Sequence, residues 1–218
     1  MKYFGHRGAS KIFGDNNLES YRQAVESGAI GTEMYIGITK DGVLIMHHKA
    51  VDKTTGIPVY DRNYLEGSDL KLLQVLEEFS RDDLEYVLDI KNPSVYSSSC
   101  RNVYEMCDSH KCLHWCVFAY FNEFNLRDLL NIETVIRRPI QKVYITSNLN
   151  EDMVASVIKR DGLSHIIPYK FQINNEVTRF VNSENVKVYA YTCNTQGLCT
   201  HMGALGVDGI IIDLPGFF

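Results

Sequence analysis

Nothing in the sequence approaches the run of about 18 apolar residues that a membrane-spanning helix needs, so no integral membrane segment is expected. The opening residues, MKYFGHRGAS, lack the apolar stretch of a secretory signal, and the expected location is cytoplasmic. Basic charge is not in excess. At a formal net charge of −5, neither nucleic acid nor an anionic membrane is expected as a partner. The six cysteines (Cys100, Cys107, Cys112, Cys116, Cys193 and Cys199) contain no CxxC pair, which argues against a zinc knuckle. A chain of 218 residues can build a core without disulfides, so the cysteines are read as reduced thiols. Linkers, internal repeats and low-complexity segments are also missing, and one domain over residues 1–218 is expected.

What is present is alternation. Apolar, β-rich runs at 2–6, 31–37, 43–48, 84–91, 114–121, 142–146, 165–169, 186–192 and 208–213 read as strands. Amphipathic patterns fall between many of them, at 17–28, 69–80, 122–131, 150–162, 174–184 and 194–206. In the first of these, Leu18, Tyr21, Ala24 and Val25 share one helical face, Asp and Asn residues offer caps, and Gly28 is the stop signal. Strand followed by helix throughout is the mark of parallel βα units, and an eight-stranded α/β barrel fits the length. The rival is an open doubly wound sheet. That fold usually carries GxGxxG after its first strand, where this chain has GHRGAS.

In either fold, chemistry collects at the C-terminal ends of strands. The first strand ends in His6 and Arg7; the second carries Glu33 and Tyr35; the third run ends in His47, His48 and Lys49; the fourth carries Asp89 and Lys91. Each has a bland reading. A lone strand-end histidine is usually structural, and Asp89 with Lys91 forms a same-face ion pair at spacing i, i+2. Together they make a coherent set. Two histidines serve as general base and general acid near neutral pH. Arg7 and Lys91 suit a phosphate. Glu33 and Asp89 offer hard oxygen ligands to Mg²⁺ or Ca²⁺. The combination points to metal-assisted displacement at a phosphodiester, a small-molecule substrate.

These residues resemble the glycerophosphodiester phosphodiesterases, metal-dependent (β/α)₈ barrels. The resemblance lies in GHRGAS at 5–10, in GDNNLES with Asn16 and Asp15, in EMYIGITKDGVLIMHHK, in DIK at 89–91, and in AYTCNTQ…GVDGIIIDLP near the end. It is densest over 1–56 and 186–215. It implies that His6 and His48 are the catalytic pair, that Arg7 and Lys91 hold the phosphate with Asn16 nearby, and that Glu33 and Asp89 bind the metal. His48 is preferred to His47 by its spacing from Gly42 and by its alternation with Met46. The implied chemistry is attack by the glycerol 2-hydroxyl on phosphorus, followed by hydrolysis of the cyclic phosphate.

Five departures from the family pattern stand out. Tyr35 replaces a second carboxylate, and a neutral phenol is a poor ligand for a hard cation, so weaker metal binding is expected. Asp89 is shorter than the usual glutamate, Lys49 stands for an aspartate, and VFAYF stands where many members have a serine–phenylalanine motif. The chain also ends five residues after Asp213, so the customary last helix is expected to be missing, with Phe217 and Phe218 covering part of the gap. The alternatives are a pseudoenzyme that binds a phosphate-containing ligand or partner, a sphingomyelinase D/phospholipase D-like activity suggested by Asp-x-Lys, and an unrelated aldolase using Lys91 as a Schiff base.

Overall fold

The alternation persists in the computed structural model, which describes residues 1–49, 51–52, 55–79, 83–91, 99–121, 123–147 and 151–216. In chain order the elements are β1 (Lys2–His6), α1 (Ser10–Phe13), α2 (Leu18–Glu26), β2 (Gly31–Ile38), β3 (Leu44–Met46), α3 (Leu72–Phe79), β4 (Glu85–Ile90), α4 (Ser99–Ser109), β5 (Cys116–Tyr120), α5 (Glu123–Ile136), β6 (Lys142–Thr146), α6 (Glu151–Asp161), β7 (His165–Pro168), α7 (Asn175–Ser183), β8 (Lys187–Ala190), α8 (Gln196–Ala204) and β9 (Gly209–Ile212). Eight strands run parallel, in the ring order β1, β2, β4, β5, β6, β7, β8, β9, and β9 pairs back to β1. The fold is an α/β TIM barrel.

The third run forms a strand over only three residues, and it pairs antiparallel with β2, outside the ring. β2 is long enough to serve both partners: its first residues pair with β1 up to Glu33, and Ile36–Ile38 pair with β3. His47 and His48 therefore lie in the loop beyond β3 rather than on the strand. Helix α4 was not expected. Its buried positions, Cys100, Val103, Tyr104 and Cys107, follow the helical spacing i, i+3, i+4, i+7, but cysteines fill two of the places where larger aliphatics would signal a helix. α1 and α2 share the first crossover, and among the described residues no helix follows β9. Phe217 and Phe218 lie outside the described residues.

Local chemistry starts the helices. The Asn17 side chain accepts from the Ser20 amide at 2.9 Å, Asn174 accepts from Glu176 and Val177, and Thr195 accepts from Leu198, each satisfying otherwise unpaired N–H groups. One face of the sheet packs on the helices through residues such as Met34, Leu88, Phe118 and Ile210. The opposite face fills the barrel with Phe4, Val87, Val117, Val143, Ile167 and Ile211. Residues two places further along these strands, His6, Asp89 and Asp213, are polar. The strand period of two thus carries an apolar interior up to a charged mouth.

The barrel floor is polar too. Glu85 accepts hydrogen bonds from the Tyr189 hydroxyl at 2.8 Å and from Lys2 at 3.2 Å, while His165 Nε2 lies 3.7 Å away from it. Burial outweighs the attraction of Glu85 and pulls the His165 pKa down to about 4. A neutral His165 in the fold and a titrating one in the unfolded chain make stability fall as pH drops from about 6.5 to about 4. Over that window, unfolding in guanidinium should show a pH slope steeper in the wild type than in His165→Gln, by up to about 1.4 kcal/mol per pH unit. Equal slopes would mean that His165 is protonated in the folded protein.

Candidate active site

The motif after β1 folds as a tight loop against α2. Gly8 has φ +89°, and a Cβ there would lie 2.4 Å from the Ser20 hydroxyl oxygen, so only glycine serves. This contact lets Ala9 N–H donate to the Ser20 carbonyl at 2.8 Å and the Ser20 hydroxyl donate to the Arg7 carbonyl at 3.2 Å. Arg7 (φ 60°) and Asn16 (φ 53°) both adopt the left-handed region, and Asn16 N–H donates to the Arg7 carbonyl. Two non-glycine residues flanking α1 and held this way, joined by that hydrogen bond, are conformational strain gathered at one end of the barrel.

Strand register assembles the rest. His6 pairs with Glu33 between β1 and β2, and Tyr35 pairs with Asp89 between β2 and β4. Glu33 and Tyr35 share the interior face, as their spacing requires. His6 stands between two carboxylates: its Nδ1 is 2.5 Å from Asp213, and its Nε2 is 3.6 Å from Glu33 and 3.2 Å from the Tyr35 hydroxyl. Asp213 also accepts from Asn194 at 2.5 Å. Burial pushes the Asp213 pKa upward, but the bonds from His6 and Asn194 outweigh it and hold the carboxyl below its ordinary value.

Tyr35 is the hub. Its ring lies edge-on to His48 at a centroid distance of 4.4 Å, with the Arg7 guanidinium 5.0 Å and the Lys91 ammonium 4.4 Å from its centroid. Burial, with the Glu33 and Asp89 charges, drives its pKa far above the usual range, so it is a neutral phenol. Arg7 Nη2 lies 3.4 Å from His48 Nε2. Arginine only donates, so His48 Nε2 is the unprotonated nitrogen. Burial, then repulsion from Arg7, Lys91 and His6, pulls the His48 pKa down to about 4.

All the sequence candidates except His47 and Lys49 meet at this mouth. His47 turns instead to Asp69, at 3.3 Å, while Lys49 is exposed at the edge of a cavity of about 420 Å³ beside His48, which Asp15, Asn16 and Asp52 also line. Arg7 is paired with Asp15 at 2.8 Å. Asn16 is buried and accepts from the Tyr21 hydroxyl at 3.2 Å. The bland reading of Asp89 and Lys91 holds as geometry, since they form an ion pair at 2.5 Å. Sequence reasoning overlooked Asp213 as a partner of His6. The signal was its place one residue past β9, the strand that closes on β1.

Glu33 and Asp89 are 3% and 2% exposed, and burial raises both carboxyl pKa values, with mutual repulsion adding to that of Glu33. Two buried, hard-oxygen groups in this state fit a divalent cation, with water or phosphate oxygens completing the shell. Arg7 and Lys91 leave two cations at the same mouth. Arg7→Ala and Lys91→Ala should each weaken binding of glycerol 3-phosphate by about tenfold to a hundredfold, measured by isothermal titration. No change in either would mean that the mouth is not a phosphate site.

A sequence profile of the glycerophosphoryl diester phosphodiesterase family matches residues 6–217. The chain is 24% identical over 230 residues to a glycerophosphodiester phosphodiesterase of Caldanaerobacter subterraneus, covering 96% of this chain and 93% of that one. It is 45% identical over 51 residues to human glycerophosphodiester phosphodiesterase 1, which is 23% of this chain and 15% of that protein. Among solved structures, a phosphodiesterase of Oleispira antarctica, in complex with the product sn-glycerol-3-phosphate, superposes with a TM-score of 0.86 at 18% identity, covering 99% of this chain and 94% of that one. A glycerophosphodiester phosphodiesterase of Thermotoga maritima gives 0.81 at 20% identity, covering 99% and 96%. By the extent of the profile match, the chain belongs to the glycerophosphoryl diester phosphodiesterase family.

Proposed function

We propose that this protein hydrolyses a glycerophosphodiester to an alcohol and glycerol 3-phosphate, with His48 as general base and His6 as general acid. The observation that carries the assignment is the contrast between the histidines. His48 is neutral, with an unprotonated Nε2 facing Arg7, whereas His6 is flanked by Asp213 and Glu33 and can donate from both ring nitrogens when protonated. His48 Nε2 takes the proton of the glycerol 2-hydroxyl as that oxygen attacks phosphorus. His6 Nε2 gives a proton to the departing alcohol oxygen as the P–O bond breaks. The roles then reverse: His6 accepts a proton from water, which opens the cyclic phosphate, and His48 returns one to the 2-oxygen. Asp213 fixes the His6 ring with Nε2 toward the reacting atoms. Arg7 and Lys91 bear the phosphoryl charge, Asn16 adds a polar contact near it, and the cavity beside His48 accommodates the substrate's organic arm.

Members of the family typically use a divalent cation. Here Glu33 and Asp89 would hold it, as Mg²⁺ or Ca²⁺, and it would neutralise charge on the phosphoryl oxygens. Glycerophosphocholine turnover should therefore depend on Mg²⁺ or Ca²⁺ and stop on chelation, with lysophospholipid and sphingomyelin assayed in parallel. Turnover untouched by chelation removes the metal from the reading. A second reading, a phosphate binder without turnover, is favoured by Tyr35, a neutral phenol on the same strand face as Glu33 that carries both Arg7 and Lys91 against its ring. Tight glycerol 3-phosphate binding with no hydrolysis under any metal would select it.

A further inference from the structure

We propose that Cys107, Cys112 and Cys116 form a buried site for a thiophilic d¹⁰ metal ion, Zn²⁺ or Cu⁺, at the end of the barrel opposite the active-site mouth. Among the described residues, these three make the only cluster in which three potential metal-ligating side chains converge, their sulfurs all lying within 4.8 Å of one another. All three are fully buried. Cys116 opens β5, whose other end lies at the mouth, so this site is separate from Glu33 and Asp89.

Local structure builds the cluster. Cys107 sits near the end of α4, Lys111 reverses the chain with φ 57°, and the Cys112 amide donates back to the Cys107 carbonyl at 3.0 Å. A single 3₁₀ turn, Leu113–Trp115, then delivers Cys116 to the start of β5. The resulting spacing, C-x₄-C-x₃-C, is unlike the CxxC pairs of common zinc modules, so no familiar motif announces it.

The competing explanation is that these are three core thiols, small hydrophobes like the other cysteines. Cys100, Cys193 and Cys199 do behave that way, each donating to a backbone carbonyl. Cys112 and Cys116 also have carbonyl partners at 3.3 Å, so the metal-free form is satisfied. What sets the triad apart is that its sulfurs also face one another. Cys107 and Cys116 are 3.8 Å apart. A tetrahedral ion with sulfur bonds of about 2.3 Å requires sulfur–sulfur edges of about 3.8 Å.

Soft thiolates select Zn²⁺ and Cu⁺ over Mg²⁺ or Ca²⁺. Binding is a proton-for-metal exchange without redox change: the thiols lose their protons to solvent as the metal–sulfur bonds form. Three thiolates leave a smaller net charge around Zn²⁺ than around Cu⁺, which makes zinc the less costly ion to bury. With the sulfurs out of reach of solvent, the ion enters as the chain folds or through local opening, and it links α4 to β5.

The test is refolding of the full chain with Zn²⁺, and separately with Cu⁺ under reductant, followed by desalting and metal analysis. Close to one tightly held equivalent is expected in the wild type and in Cys100→Ser, and none in Cys112→Ser. Co²⁺ in place of Zn²⁺ should give intense thiolate-to-cobalt charge-transfer absorption in the near ultraviolet. This readout needs no variant, and an ion bound by the oxygen ligands at the mouth would not produce it. Retention of neither metal, absence of the cobalt band, or a mass and thiol count showing a disulfide within the triad would each overturn the proposal.

Discussion

His48→Ala should lose about a thousandfold in kcat on glycerophosphocholine while binding glycerol 3-phosphate almost as well as the wild type. The loss follows from the base assignment. His48 contributes a lone pair at Nε2, and no other side chain described at the mouth offers a neutral nitrogen beside Arg7. His6→Ala should cost as much through the acid, whereas Asp213→Asn, which leaves the imidazole but removes its anionic partner, should cost less. The pH dependence carries the sign. His48 has its pKa near 4, so it stays a competent base down to about that pH, and activity governed by it falls only as pH drops below about 5. Stopped assays across pH 4–8 would check this. An acid limb centred near 6.5 that vanishes in His48→Ala would show that burial does not hold the ring neutral, and unchanged turnover in His48→Ala would remove it from the chemistry.

Tyr35→Asp should tighten Mg²⁺ binding by at least about tenfold, since one more unit charge a few ångströms from the ion is worth roughly 1–4 kcal/mol at the dielectric of a partly buried site. The aspartate would stand in register with Asp89 and on the same strand face as Glu33. The same change removes a ring that is 6% exposed and adds a third buried acid, so the metal-free variant should be less stable by about 2–4 kcal/mol. Its melting temperature should then rise with added Mg²⁺ far more than that of the wild type. Titration calorimetry beside a diesterase assay separates three cases. Affinity and rate rising together mean a weakened enzyme. Affinity rising alone means that Asp89 and Lys49 also block turnover. A wild type that already binds metal tightly and turns over fast would mean that the phenol is no defect.

Most of the barrel is legible because strand and helix periods differ, and nearly every element shows one of them. α4 was hidden because two cysteines occupy core positions that leucine or isoleucine would have advertised. β3 looked like a ring strand because apolar content does not encode direction; its pairing depends on β2 outlasting β1. In the site, Glu33, Tyr35, Asp89 and Lys91 could be read from parity along their strands. Parity does not separate His48 from His47: both lie past the strand, and loop conformation aims one at Arg7 and the other at Asp69. Asp213 and the cysteine triad were harder to read for different reasons. Asp213 meets His6 only because the last strand closes on the first, and the cysteines converge only because a left-handed residue and a 3₁₀ turn reverse the chain between them.

The contact between His6 and Asp213 spans 207 residues, from the first strand of the ring to the residue just past the last. During synthesis, His6 therefore emerges long before the carboxylate that orients it. In the mechanism proposed above, the proton donor is set only when β9 docks against β1, a step that must also overcome the loop entropy of nearly the whole chain. On that proposal catalytic competence is a completion signal: a nascent or truncated chain would carry both histidines, Arg7 and Lys91 yet have no aligned acid. The converse would apply on heating: on the same proposal, fraying of the β1–β9 seam alone would silence the protein.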